Sequence, residues 1–104
     1  MYKLIAIYKI PNDIDAFDKH YNEIHAPLAA KVPGLVELRV NKIHGTPAGA
    51  SNLHIIAEMV FNNKEDFKTA MKSEENAAAG KDLMSFAKDI VSIHFAEEIV
   101  SKPL

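Results

Sequence analysis

The sequence predicts one α+β domain, residues 1–104, with the element order strand, helix, strand, strand, helix, strand. Two observations predict it. Apolar segments of strand length, rich in β-branched residues, alternate with segments whose apolar residues recur every three or four positions. Prolines, glycines and asparagines stand at the breaks between these segments. Such an order places the helices on one face of a four-stranded antiparallel sheet.

The first strand and helix occupy the N-terminal quarter of the chain. Tyr2–Ile10 alternates between two faces, and Pro11 ends the strand. Asn12 and Asp13 are natural N-caps for the helix that follows. Because Pro27 lacks an N–H, we expect it to break or kink this helix and a short turn to follow. The apolar stripe of the helix consists of Ile14, Phe17, Tyr21, Ile24 and Leu28.

A hairpin, a second helical region and a last strand complete the predicted order. The later strands are expected at residues 35–43, 53–61 and 90–100. Residues 45–52, rich in glycine and proline, form the hairpin loop. Asn62 or Asn63 is expected to cap the second helix, and Gly80 to divide it into separate segments. The complete order is that of a ferredoxin-like fold.

Both faces of the predicted sheet are apolar. The side chains expected under the helices are Leu4, Ala6, Tyr8, Ile10, Val36, Leu38, Val40, Leu53, Ile55, Ala57, Met59, Phe61, Val91, Ile93 and Phe95. The opposite face still carries Ile5, Ile7, Leu35, Ile43, Ile56, Val60 and Ile90. A face exposed to solvent would be polar. Burial of each apolar side chain of this kind stabilises the buried state by roughly 1.5–3 kcal/mol. A second copy of the chain is the expected cover, which predicts a homodimer.

Four polar side chains, Arg39, His54, Glu58 and His94, are also expected on that opposite face, buried between the two copies. Arg39 is expected to pair with Glu37 or Glu58. His54 and Glu58 lie four residues apart on one strand, which separates them by about 13 Å. This spacing disfavours a metal site built from His54, Glu58 and His94. We therefore expect a polar patch in the dimer and no metal ion.

Composition and charge exclude several other classes of protein. The formal net charge is −2 and no basic stripe is present, which argues against a nucleic acid partner. No segment approaches the roughly 20 apolar residues of a membrane span, and the apolar opening is too short for a signal peptide. The chain has no cysteine, so it contains neither a disulfide nor a thiolate nucleophile. A cytoplasmic location is expected.

His25 is the most informative candidate for chemistry, because it stands just before the helix-breaking Ala26-Pro27. Histidine titrates near neutral pH and serves as a general acid or base. The structural alternative is a helix-end histidine that donates to a free carbonyl group. Tyr21 lies one turn earlier, whereas His20 lies about 140° around an α-helix from His25. We therefore expect His20 on the surface, unable to pair with His25.

The motif Tyr21-x3-His25-Ala26-Pro27-Leu28, followed by Val32-Pro33-Gly34-Leu35, resembles the signature of the EthD family. That family belongs to the dimeric α/β-barrel superfamily, and the βαββαβ order matches along nearly the whole chain. The resemblance implies a pocket between the sheet and its helices, with His25 at the edge. Relatives include proteins linked to ether degradation, muconolactone isomerisation and cyclisation of polyketide-like substrates.

The sequence is compatible with two functions. The first is an enzyme for small apolar carbonyl or lactone compounds, with His25 and Tyr21 as catalytic candidates and no cofactor. Its ligand would contact Tyr8, Leu38, Met59 and Phe86. The second is a metabolite-binding or accessory dimer without activity. An enzyme should have a cavity beside a histidine of displaced pKa, whereas a structural protein would fill that space with aromatic rings. Haem contact through one histidine, known elsewhere in the superfamily, is a weaker third hypothesis.

Overall fold

A computed structural model describes all 104 residues and confirms the predicted α+β, ferredoxin-like architecture. The sheet order is β2-β3-β1-β4, and all neighbouring strands are antiparallel. No helix combines the length and the apolar character that a membrane crossing requires. The elements are β1 (Tyr2–Lys9), α1 (Ile14–His20), a π-helical turn (Tyr21–His25), α2 (Ala26–Ala29), β2 (Leu35–Lys42), β3 (Leu53–Phe61), α3 (Lys64–Met71), α4 (Glu74–Ala87) and β4 (Val91–Glu97).

Side-chain caps set where three of the helices begin. The carboxylate of Asp13 accepts from the N–H of Ala16 at 3.0 Å and caps α1. Asn63, rather than Asn62, caps α3 in the same way at 2.8 Å. Ser73 caps α4, which then runs without a break through Gly80. The predicted division at Gly80 is wrong, because one glycine costs a helix only about 1 kcal/mol and the apolar face of α4 packs on both sides of it.

The helix that begins at Ile14 also runs past Pro27, contrary to the prediction. The chain stays right-handed helical because the turn before the proline widens. In this π-helical turn the N–H of Ala26 donates to the carbonyl of Tyr21, five residues earlier. Pro27 has no N–H to donate to the preceding turn, so the carbonyl groups of that turn are free to adopt the wider geometry.

The wider turn changes which side chains face the sheet. Ile24, predicted to lie on the apolar stripe, is 47% exposed, whereas His25 is only 7% exposed. One turn later Ala29 is buried in place of Leu28. A polar residue therefore takes a core-facing position that the regular α-helical spacing had assigned to isoleucine.

A β-bulge at the start of β2 corrects two predicted orientations. Leu35 pairs with Phe61 and Glu37 pairs with Val60, so Val36 is the extra residue. Leu35 consequently packs under the helices, and Val36 is exposed. Val40 is exposed as well, because β2 is an edge strand. Outside β2, Ile90 also packs under the helices rather than on the opposite face, and Ile10 lies exposed beyond the end of β1.

The core under the helices consists of two clusters. The first lies under α1 and the C-terminal half of α4, and the second under α2 and α3. The first cluster contains Ala6, Tyr8, Phe17, Tyr21, Ile55, Ala57, Leu83 and Ala87. The second contains Ala29, Val32, Met59, Phe61, Phe67 and Ala70.

The opposite face of the sheet combines isoleucines with a network of ion pairs. Ile7 lies directly opposite Ile56 on the neighbouring strand. Arg39 binds Glu37 through two nitrogens, at 2.7 and 2.8 Å, and approaches Glu58 at 3.9 Å. The pairs among the remaining charged groups are Lys3–Glu58 at 3.2 Å and Lys3–Glu98 at 3.3 Å. We call this surface, defined by Lys3, Ile5, Ile7, Arg39, Ile56, Glu58 and His94, the open face.

Candidate functional site

A cavity of about 370 Å³ lies between the sheet and the helices. Fourteen of the seventeen residues in its wall are hydrophobic, and the other three are His25, Asn76 and Gly80. The wall takes residues from both core clusters. The aromatic side chains do not fill this space, as they would in a purely structural protein, so a small molecule could enter it.

Three of the four residues expected to contact a ligand line this cavity. Tyr8, Leu38 and Met59 project into it from three different strands. Phe86 does not, which corrects its predicted position. Its ring lies on the face of α4 that meets the helix containing His20 and His25, with centroid separations of 4.3 and 5.3 Å. Phe86 therefore packs against the two imidazole rings instead of lining the cavity.

His25 is held at the cavity wall by a carboxylate from another helix. Its Nδ1 lies 3.0 Å from Oδ2 of Asp82 on α4. A carboxylate only accepts hydrogen bonds, so Nδ1 must carry the hydrogen. The neutral ring then has a bare Nε2, and no protein group forms a hydrogen bond to that atom. The pair thus leaves His25 with a free lone pair at the edge of an apolar cavity.

Burial sets the protonation state of His25. It lowers the pKa of His25 below the usual value of 6.5, because the charged imidazolium is poorly solvated in the protein. The hydrogen bond from His25 to Asp82 acts in the opposite direction without cancelling this effect. His25 is therefore neutral at pH 7 and able to accept a proton.

His20 shares the same carboxylate, which corrects the prediction that it lies on the surface apart from His25. Its Nε2 lies 2.9 Å from Oδ1 of Asp82, so the two histidines occupy the two oxygens of one side chain. The predicted separation of 140° assumed an α-helix. In the π-helical turn, residues five apart lie about one turn apart and reach the same partner.

Two phenol groups face the same cavity beside His25. The rings of Tyr8 and Tyr21 meet edge to face, with centroids 5.5 Å apart. Burial raises the pKa of Tyr21 to about 12 and raises that of Tyr8 further. Both phenols therefore keep their hydrogens at physiological pH, and they can donate hydrogen bonds but cannot act as bases.

His54 lies on the helix side of the sheet, contrary to its predicted place on the open face. A second bulge lies opposite Tyr8 and Lys9, which pair with Ile55 and Leu53, and leaves His54 unpaired between them. Its Nε2 lies 2.7 Å from the carboxylate of Asp18 on α1. Glu58 and His94 stay on the open face, both opposite Ile5, so His54 is no longer part of that polar set.

The sequence reading missed Asp82 and Asn76. Asp82 stands three residues after Ala79 and four before Phe86, both of which pack inward, so it lies on the core-facing side of α4. A charged residue at such a position is the signal that could have identified it. Asn76 carries no comparable signal, because only the packing of α4 beside α3 places it at the cavity. No three His, Asp or Glu side chains are arranged as a set of metal ligands.

The comparisons with known proteins agree with the fold of this chain and show its family. A profile of the EthD domain matches residues 11–89, which begin just after β1, end just before β4 and include the helix of His25. The chain belongs to the EthD family. The resemblance carried by the His25-Ala26-Pro27-Leu28 motif is thereby confirmed.

Three known proteins are similar to this EthD protein over nearly their whole length. An EthD family protein from Bacillus halodurans C-125 has 42% sequence identity and a TM-score of 0.92, over 95% of this chain and 99% of that one. An uncharacterized 11.0 kDa protein from the thcB-thcC intergenic region of Rhodococcus erythropolis is 29% identical over 94% of this chain and 95% of its own. A dimeric ferredoxin-like protein of unknown function from Bacteroides fragilis shares the fold, with 22% identity, a TM-score of 0.61 and coverage of 93% and 95%.

Proposed function

We propose that this EthD protein is a homodimeric enzyme that performs acid–base chemistry on small, largely apolar carbonyl or lactone compounds. The observation that carries the proposal is the His25–Asp82 pair, which presents an unprotonated Nε2 at the wall of an apolar cavity. A buried histidine with a displaced pKa beside a carboxylate is typical of catalytic sites. The enzyme acts without an organic cofactor in this proposal.

The reaction begins with proton transfer to His25. A hydrogen on the carbon next to the carbonyl moves to Nε2, and the electron pair of the broken C–H bond passes to the carbonyl oxygen. Asp82 stabilises the imidazolium that forms. Return of the proton at another atom gives an isomer. Alternatively, attack of the carbanion on a second carbonyl carbon closes a ring, and the proton on His25 passes to the alkoxide oxygen that forms.

Tyr8 and Tyr21 supply the complementary hydrogen-bond donors. As negative charge grows on the substrate oxygen, a neutral phenol in an apolar cavity stabilises it strongly. Their placement in one cavity wall with His25 supports this assignment. Leu38 and Met59 provide apolar contacts on the sheet side.

The open face supports the homodimer. Ile5, Ile7 and Ile56 form its apolar part, and no helix of the same chain covers them. A second copy would remove these side chains from water, and the Bacteroides fragilis relative, which is dimeric, has the same fold. Arg39, Glu58 and His94 would then lie at the contact between the two copies.

Exchange of carbon-bound hydrogen tests the proposed proton transfer. The probes are 4-phenylbutan-2-one, 4-(4-hydroxyphenyl)butan-2-one and δ-valerolactone in D₂O, with loss of the α-proton signals followed by NMR. The wild type should accelerate exchange of at least one probe, and His25→Ala should lose roughly 10²-fold or more of that acceleration. His44→Ala, which removes an exposed histidine far from the cavity, is the matched control and should exchange like the wild type.

The opposite result has a definite meaning. Exchange that proceeds equally fast with His25→Ala contradicts the assignment of the base. Binding of a probe without any acceleration favours the alternative function, a metabolite-binding dimer, which the hydrophobic wall of the cavity would also serve.

A further inference from the structure

The cavity is polar at both ends and apolar between them. Asn76 and Asp82 both lie on α4, six residues and therefore roughly 9 Å apart along the helix axis. Ala79 and Gly80 line the wall between them. The amide of Asn76 thus stands at the end of the cavity remote from His25, which Asp82 holds.

The sheet side of the cavity runs in the same direction. Tyr8 packs in the first core cluster beside Tyr21, whereas Met71 packs against the second cluster and Leu4 contacts both clusters. Tyr8 and Leu4 are four residues apart on β1, a separation of roughly 13 Å. The cavity is therefore elongated along β1 and α4 rather than round.

The hydrogen bonds of Asn76 leave one atom free. Its Nδ2 lies 3.4 Å from the carbonyl oxygen of Met71, at the end of α3. That carbonyl only accepts, so the NH₂ group must face it, and the amide oxygen points elsewhere. No donor of the protein reaches Oδ1 of Asn76. This oxygen is an acceptor available to a molecule in the cavity.

We propose that the cavity binds an elongated, mostly apolar molecule that carries a carbonyl group at the His25 end and a hydroxyl group at the Asn76 end. The hydroxyl donates to Oδ1 of Asn76, and the apolar middle contacts Ala79, Met59 and Ala6. The carbonyl end rests on the proposed function. The hydroxyl end rests only on Asn76 and stands even where no proton transfer occurs.

Two of the exchange probes form a matched pair for this proposal. 4-(4-Hydroxyphenyl)butan-2-one has a phenol and a ketone at opposite ends, and 4-phenylbutan-2-one lacks only the phenol. Calorimetric titration should show that the wild type binds the phenol compound about three to ten times more tightly, the effect of one hydrogen bond. Asn76→Ala should abolish this preference and leave the affinity for 4-phenylbutan-2-one within about twofold. Asn52→Ala, in an exposed loop, should retain the preference.

A second measurement needs no variant at Asn76. In wild-type protein with labelled methionine and leucine methyl groups, the phenol ring of the probe should give NOEs to Met71, and its ketone methyl group should give NOEs to Leu83. Equal affinity of the two probes, a preference that survives Asn76→Ala, absence of binding by both probes, or the reversed orientation would each overturn the proposal. If the wild type prefers the phenol compound but does not accelerate α-proton exchange, the proposed enzyme activity is rejected and the proposed hydroxyl contact with Asn76 stands.

Discussion

At the scale of single residues, the shared carboxylate of Asp82 determines the chemical state of His25. Its two oxygens accept from two histidines of one helix, and this arrangement fixes both the ring orientation and the tautomer of His25. Phe86 packs against both imidazoles and limits their rotation. The proposed base therefore depends on three side chains, Asp82, His20 and Phe86, that do not line the cavity.

Replacement of Asp82 tests this dependence. Asp82→Asn can offer an NH₂ group to Nδ1 of His25, and this favours the tautomer whose hydrogen lies on Nε2. We expect the α-proton exchange rate to fall by about 10²-fold, since a protonated Nε2 cannot accept. Asp89→Asn, an exposed position just after α4, is the control for charge loss. If Asp82→Asn exchanges as fast as this control, the tautomer argument is wrong.

The lowered pKa of His25 predicts the pH dependence. Exchange requires the neutral imidazole, so its rate should stay high below pH 6.5 and fall only with a midpoint under that value. The free energy of unfolding should also decrease as the pH falls. Because folding depresses this pKa, the contribution of neutral His25 is complete above the unfolded value near 6.5 and is lost as the pH falls. Rate profiles and urea titrations between pH 4.5 and 8, with His25→Ala as reference, check both. A rate midpoint above 6.5 would contradict the burial of His25.

At the scale of elements, the wide turn before Pro27 and the continuity of α4 together assemble the site. The π-helical turn brings His20 and His25 to the same side, and an unbroken α4 carries both Asn76, which lines the cavity, and Asp82, which holds His25 at the cavity wall. A break at Gly80 would separate these two ends of the site. In the proposed site, the course of α4 through Gly80 therefore serves function as well as structure.

Substitution of Gly80 tests how well α4 tolerates its glycine. Nothing lies within 4 Å of the position where a Cβ would stand, so Gly80→Ala meets no obstacle. The free energy of unfolding should rise by about 0.5–1 kcal/mol, because alanine loses less conformational entropy in a helix. Gly49→Ala provides the contrast, since its φ of 124° strains any side chain and should lower stability. Urea denaturation measures both, and destabilisation by Gly80→Ala would show that α4 is strained there.

At the scale of the whole molecule, the two faces of the sheet have different roles. The helix-covered face holds the cavity and His25, whereas the open face carries isoleucines and the ion pairs of Lys3 and Arg39. In the proposed dimer, the cavities lie on the outer side of each sheet. Each copy then contains a full set of site residues.

A charge placed on the open face tests the dimer. Ile7→Lys or Ile56→Lys should shift the protein from dimer to monomer in light-scattering measurements, because a symmetric contact meets the substitution twice. Each lost isoleucine removes roughly 1.5–3 kcal/mol of burial. Ile24→Lys, an equal change at a site already 47% exposed, should leave the dimer intact. A monomer mass for the wild type, or the same mass for the wild type and all variants, would contradict the proposed contact.

The sequence by itself determined the element order, the antiparallel sheet and the family, and it singled out His25 as a candidate, because periodicity, caps and a local motif encode these features. Only the tertiary structure decided the partners of His25. Asp82 lies 57 residues away, and the helical spacing that separated His20 from His25 failed at one widened turn. Likewise, His54 and Leu35 changed faces at bulges, where one extra residue reverses the alternation of a strand. Local patterns assume regular geometry, and this site is built where the geometry is irregular.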